Sequence, residues 1–139
     1  MSYLVDTNVL SELRKGERCD PHVLRWFSSV STDEIYLSVL TIGEIRRGVE
    51  RIRRRDARSA RALGAWLRRL IVEHSDRILP IDDAVAEEWG RLGVPDPIPV
   101  IDGLMAATAR VHGLTFATRN QKDVMRTGVS CINPFSPTS

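Results

Sequence analysis

The chain is poor in several residue types and motifs, and each scarcity narrows its chemistry. It has only two cysteines in 139 residues. Cys19 and Cys131 lie far apart, match no metal or redox spacing, and read as reduced structural thiols of a cytoplasmic protein. The three histidines, His22, His74 and His112, are scattered, so no His/Cys cluster offers a zinc site. No apolar run reaches the length that spans a bilayer. The first strand begins at once, without a basic-then-apolar leader, so no secretory signal is expected. Gly-x-x-x-x-Gly-Lys and Gly-x-Gly-x-x-Gly loops are missing, which removes those two routes to nucleotide binding. No Gly-x-Ser-x-Gly elbow is present either. Lysine is scarce too: of 20 basic residues only Lys15 and Lys122 are not arginine.

What is present has the composition of an ordinary globular protein, 42% hydrophobic and 27% charged. The length reads as one domain, residues 1–139, able to bury a real core. Net charge is only +2 but is unevenly spread. Ten arginines fall between Arg46 and Arg69 against Glu50 and Asp56 alone. Such a run is either a solvated helix face or a contact surface for nucleic acid or an acidic partner.

Strand-like and helical patterns alternate along the chain. Tyr3-Leu4-Val5 runs into Asp6, and Val9, Leu10 and Leu13 then recur at helical spacing. Pro21 suits the first turn of a helix reaching about Val30. Ile35-Tyr36-Leu37 reads as a second strand, and Ser38 or Thr41 opens a helix through Ile52. Thr41-x-x-Glu44 fits the capping-box pattern there. After Arg53-Arg54-Arg55 a further helix fits Ala57 to about His74, so the two form an αα-hairpin with a basic exterior. Ile78 to Ile81 is a third strand, with Pro80 pointing to a sheet edge. A helix from Asp82 or Asp83 through Leu92 follows, then a Pro-rich loop. Val100-Ile101-Asp102 leads into a small-residue helix over 103–112, stopped by Gly113. Residues 114–118 and 129–132 complete five strands. This alternation predicts a parallel sheet covered by helices on both faces.

The acids at these junctions carry the chemistry. Asp6, Asp102 and Glu44 each have a plain structural reading as a helix cap or a cap's partner, and Asn120 or Asp123 could cap a short helix after the fourth strand. A parallel sheet, however, gathers the carboxyl ends of its strands on one edge. Asp6, Asp102 and the Asn120/Asp123 pair would share that edge, with Glu44 overhanging it. Carboxylates crowded in this way repel one another unless a cation sits among them, and oxygen-liking Mg²⁺ or Mn²⁺ meets that need. Such a site serves phosphodiester hydrolysis.

Four blocks in order also carry a resemblance. They are Leu4-Val5-Asp6-Thr7-Asn8-Val9-Leu10-Ser11-Glu12; Ser38-x-x-Thr41-x-x-Glu44-x-x-x-Gly48; Asp102-x-x-x-Ala106-Ala107-Thr108-Ala109-x-x-His112-Gly113-Leu114; and Thr118-Arg119-Asn120. Together they resemble PIN-domain ribonucleases, most closely the VapC-type toxins of bacterial toxin–antitoxin pairs, over essentially the whole chain. The resemblance implies a three-layer α/β/α fold around a parallel sheet of about five strands, and Mg²⁺- or Mn²⁺-dependent RNA cleavage. It implies Asp6, Glu44 and Asp102 as the principal acids, with Thr7 and Thr118 as hydroxyl residues beside them. Asn120 stands where some members carry an acid, and Asp123 is the alternative for that fourth position. Val124 stands where an aromatic residue often follows, and Gly103 and Met105 depart from the usual pattern of their helix. The implied partners are an RNA substrate, a cognate antitoxin laid beside the basic hairpin, and a homodimer or higher toxin–antitoxin assembly. Two rivals remain. An aspartyl-phosphatase would need a second acid at position 8, which is Asn8. A PIN-like module could bind nucleic acid or a partner without cutting.

Overall fold

Alternation of apolar residues explains how the central sheet is buried. The computed structural model describes residues 1–137. Its strands are β1 (Tyr3–Val5), β2 (Ile35–Ser38), β3 (Ile78–Leu79), β4 (Thr115–Ala117) and β5 (Cys131–Ile132), all parallel, in the order β3-β2-β1-β4-β5. Val5, Ile35, Leu37 and Ala117 face one apolar layer, whereas Leu4, Tyr36 and Phe116 face the other. Side chains of a strand alternate between faces, and a parallel sheet needs apolar residues on both.

The first layer is covered by α1 (Thr7–Leu13) and α2 (Pro21–Ser28), which contribute Val9, Leu10, Val23 and Trp26. Pro21 sits in the first turn of α2, with Asp20 as its cap. On the other side lie α5 (Asp83–Leu92), α6 (Val100–Val111) and the short α7 (Gln121–Met125); α6 brings Met105, Ala106 and Ala109 against Leu4 and Phe116. The small alanines let α6 lie close on the sheet. Between β2 and β3 the chain makes the antiparallel pair α3 (Val39–Arg53) and α4 (Ala57–Glu73), packed through Ile45, Leu67 and Leu70. This is the three-layer α/β/α architecture expected from the sequence, with five parallel strands. Among the described residues no helix is long and apolar enough to cross a membrane.

Several local expectations are corrected. The α3 helix begins one residue after Ser38, whose hydroxyl accepts from the Leu40 amide at 3.0 Å. Thr41 therefore lies inside the helix, and the Thr41/Glu44 capping box does not form. The α6 helix begins at Val100, not at Gly103, with Pro99 as N-cap and no side-chain cap. Asp102 is consequently a first-turn helical residue and not the cap. Strands β4 and β5 are shorter than expected, and Pro80 directly follows the edge strand β3. Gly103 has a packing reason: a Cβ there would lie 3.0 Å from Trp89 Cδ1 and Nε1 and 3.3 Å from Ile98 Cγ1.

Candidate active site

The strand order sets where the site falls. The chain moves from β1 outward to β2 and β3, then returns across β1 to build β4 and β5. The switch point lies between β1 and β4, where two crossovers diverge and leave a crevice at the carboxyl ends. The residue after β1 is Asp6 and the residue after β4 is Thr118. They meet: the Thr118 hydroxyl donates to Asp6 Oδ2 at 2.7 Å, although 112 positions separate them in sequence. The Thr7 amide donates to Asp6 Oδ1 at 2.7 Å, so Asp6 also caps α1, and Asn8 Nδ2 donates to Oδ2 at 3.3 Å.

Two further acids reach the crevice from the flanking layers. Glu44, one turn into α3, accepts from the Thr7 hydroxyl at 2.6 Å through Oε1, and the Thr7 and Thr41 hydroxyl oxygens lie 3.1 Å apart. Asp102, in the first turn of α6, accepts from Asn120 Nδ2 at 2.7 Å. The Asn120 amide in turn donates to the Thr118 hydroxyl oxygen at 3.1 Å, which links the Asp6 and Asp102 sides. A cavity of about 490 Å³ is lined by Asp6, Thr7, Asn8, Glu44 and Asp102, with Ser11 and residues 99–101 around them.

The three acids are electrostatically uncompensated. Among the described residues, none of the salt bridges engages Asp6, Glu44 or Asp102. Burial is the main cause that pushes the Asp6 carboxyl up to about 6. Bonds from Thr118 and Thr7 hold it down in part, and the charges of Asp102 and Glu44 raise it further. Burial disfavours the charged form of the carboxyl, and the two neighbouring acids add to that effect. An all-oxygen donor set of this kind suits a hard divalent cation and not zinc. Among the described residues, however, no group of three or more His, Cys, Asp and Glu is closed enough to hold a metal ion as the side chains stand. Thr7 and Asn120 tether Glu44 and Asp102 separately, so the acids share a cavity without forming a finished cage.

Of the expected residues, Asp6, Thr7, Glu44 and Asp102 line the cavity, and Thr118 and Asn120 stand directly behind it. Asp123 is set farther back. Its Oδ2 receives Asn120 Nδ2 at 3.4 Å, and its Oδ1 lies 3.8 Å from the Arg126 guanidinium. Asn8 and Ser11 belong to the lining although the sequence reading assigned them no role. Their signal was spacing, because a helix opening at residue 7 presents 7, 8 and 11 along one side of its first turns.

The chain belongs to the PIN domain family, whose pattern matches residues 3–127. It is similar to toxin FitB of Neisseria gonorrhoeae, 32% identical over 138 residues, covering 95% of this chain and 97% of that one. It is also similar to VapC ribonuclease Y4jK of Sinorhizobium fredii, 34% identical over 142 residues, covering 96% and 98%. Among solved structures, FitAB bound to an IR36 DNA fragment superposes with a TM-score of 0.88 at 29% identity, covering 99% of this chain and 98% of that one. A DNA-bound VapBC from Salmonella typhimurium shares the fold, with a TM-score of 0.77 at 20% identity over 96% and 98% of the two chains.

Proposed function

We propose that the chain is the toxin of a toxin–antitoxin pair, an endoribonuclease that hydrolyses RNA phosphodiester bonds at the Asp6/Glu44/Asp102 cavity. The observation that carries the reading is the gathering of three unpaired carboxylates at the switch point, with Asp6 raised to about 6. The likeness to a VapC ribonuclease and to toxin FitB over nearly the full chain supports the same reading.

Asp6 and Asp102 would hold a divalent cation, Mg²⁺ or Mn²⁺, with Glu44 assisting. Such an ion, when bound, supplies charge neutralisation at the phosphodiester and acidifies water. The chain's own residues do the positioning. Thr118 fixes one Asp6 oxygen and the Thr7 amide fixes the other, so the carboxylate plane cannot turn. Asn120 sets the rotamer of Asp102 from behind, and the Thr7 hydroxyl sets Glu44. Asn120 is neutral and orients without adding charge; Asp123 adds its charge one residue farther from the cavity. The protein partner is a cognate antitoxin seated beside the α3–α4 pair, in a homodimeric or higher assembly. Solved complexes named FitAB and VapBC are the basis for that partner. Cellular placement follows the partner, in the cytoplasm.

The test is cleavage of RNA by the purified chain with Mg²⁺, with Mn²⁺ and in chelator, beside Asp102→Asn. Cleavage that needs the cation and is lost in Asp102→Asn is the expected result. RNA binding with no cation-dependent cleavage would favour the non-cutting module, a reading that the separately tethered acids also allow.

A further inference from the structure

One cation beside the cavity is left without a carboxylate. Arg119 directly follows Thr118, is exposed, and among the described residues forms no salt bridge. It is nevertheless placed. Its guanidinium carbon lies 4.4 Å from the centre of the Phe135 ring, and its amide donates to Asn8 Oδ1 at 3.4 Å. Phe135 is itself anchored: it packs against the apolar layer covered by α1 and α2, and its amide donates to Asn133 Oδ1 at 3.0 Å. Asn8 lines the carboxylate cavity and donates to Asp6, so Arg119 is one residue removed from the acids on two paths, through Thr118 and through Asn8.

We propose that Arg119, laid on Phe135, is a phosphate clamp that grips the RNA strand next to the phosphodiester at the Asp6/Glu44/Asp102 cavity. An arginine over an aromatic face loses side-chain freedom before ligand arrives, yet keeps the in-plane donors that match phosphate oxygens. Its placement answers a difficulty of the site. Three carboxylates repel a polyanion, and a cation in the cavity is offset by the acids that hold it. A fixed guanidinium at the rim supplies attraction without entering the carboxylate cluster. Contact with backbone phosphate confers affinity and register and not base preference. Arg14 is also set over an aromatic ring, 5.7 Å from the centre of Trp66, but it lies at the C-terminal end of α1, away from the Asp6 end, and the arginine clusters are placed otherwise. Arg110 and Arg91 are spent on Glu88 and Arg126 faces Asp123, whereas the α3–α4 arginines lie on another element.

The proposal rests on the nuclease reading, and its test separates the two. Binding of a short fluorescent single-stranded RNA of mixed sequence is measured in chelator, where nothing is cut, across a salt series. Arg119→Ala is expected to weaken binding about tenfold at low salt and to reduce the slope of log affinity against log salt by about 0.7, one single-strand phosphate contact. Phe135→Leu keeps the charge but frees it, so affinity falls by less and the slope stays near wild type. The double variant loses no more than Arg119→Ala does, because both changes remove one interaction. Arg25→Ala, an exposed arginine on α2, serves as the generic-charge control and leaves the slope unchanged. A wild-type slope in Arg119→Ala overturns the clamp, including where its melting temperature falls, which would make the stack purely structural. So does an equal slope change in Arg25→Ala, or absence of salt-dependent RNA binding by the wild type. Cation-dependent cleavage with an unchanged slope sinks the clamp alone. A flattened slope without any cleavage sinks the nuclease reading and leaves the clamp standing.

Discussion

Asp6 both caps α1 and lines the candidate site, at a cost to stability. In the unfolded chain its carboxyl titrates near the ordinary 3.8, and in the folded chain near about 6. The folded state therefore binds a proton more tightly through that window. The contribution is fully present below 3.8 and is lost as pH rises through 6, roughly 3 kcal/mol in all. Acids with donors beside them run the opposite way: Lys15 beside Glu12, the His22 amide on Asp20 and Ser59 on Asp56 hold those carboxyls below their ordinary range. Their contribution is lost on acidification. Asp6→Asn should abolish cation-dependent cleavage yet remove most of the stability loss between about pH 4.5 and about pH 7 in chelator. Urea titrations of both proteins across that range decide it, and a variant as pH-sensitive as the wild type there would remove Asp6 as the source. At this scale the gathering of Asp6, Glu44 and Asp102 at one sheet edge was legible in the sequence, but the partner of Glu44 was not. Local spacing pointed to Thr41 three residues away; the bond actually made is to Thr7, on another helix.

Among the elements, α6 sets the position of the candidate site residue Asp102 through its packing. Asp102 occupies its first turn, and the next residue, Gly103, lies under Trp89 of α5. Gly103→Ala gains about 1 kcal/mol of helix propensity but drives a methyl against the indole, so the two effects nearly cancel and stability changes by less than about 1 kcal/mol. Gly103→Val adds bulk without the propensity gain and should cost about 2–3 kcal/mol, with reduced cleavage as Asp102 shifts. Denaturant melts and a cleavage assay of the pair check this, and a Val variant as stable as wild type would mean that Trp89 simply swings aside. The departure at Gly103 is thus a matched pair with Trp89. Neither the pairing nor the true start of α6 could be read from the chain. Val100-Ile101 has strand-like residues, and Pro99 offers no capping side chain.

Over the whole molecule, two local concentrations of charge stand apart. Asp6, Glu44 and Asp102 line the crevice, and the basic run lies on α3 and α4, where Arg51, Arg54 and Arg58 are exposed and among the described residues form no salt bridge. Arg51 is seven residues beyond Glu44, about 10 Å at helical rise, a long reach to a phosphate in the cavity. Replacing all three by Ala is expected to leave cleavage by the free chain unchanged and to weaken inhibition by the cognate antitoxin about tenfold or more. Lost cleavage with normal inhibition would instead make the hairpin an RNA surface. What the sequence determined by itself was the kind and order of the elements and the junctions at which the acids stand. Apolar period and turn chemistry act over a few residues and leave their mark in a linear string. The tertiary structure alone decided which junctions meet. Strand order places β1 beside β4, so that Thr118 reaches Asp6, Asn120 reaches Asp102 and Arg119 settles on Phe135. Those contacts depend on how two layers close over one sheet, and no local spacing encodes that.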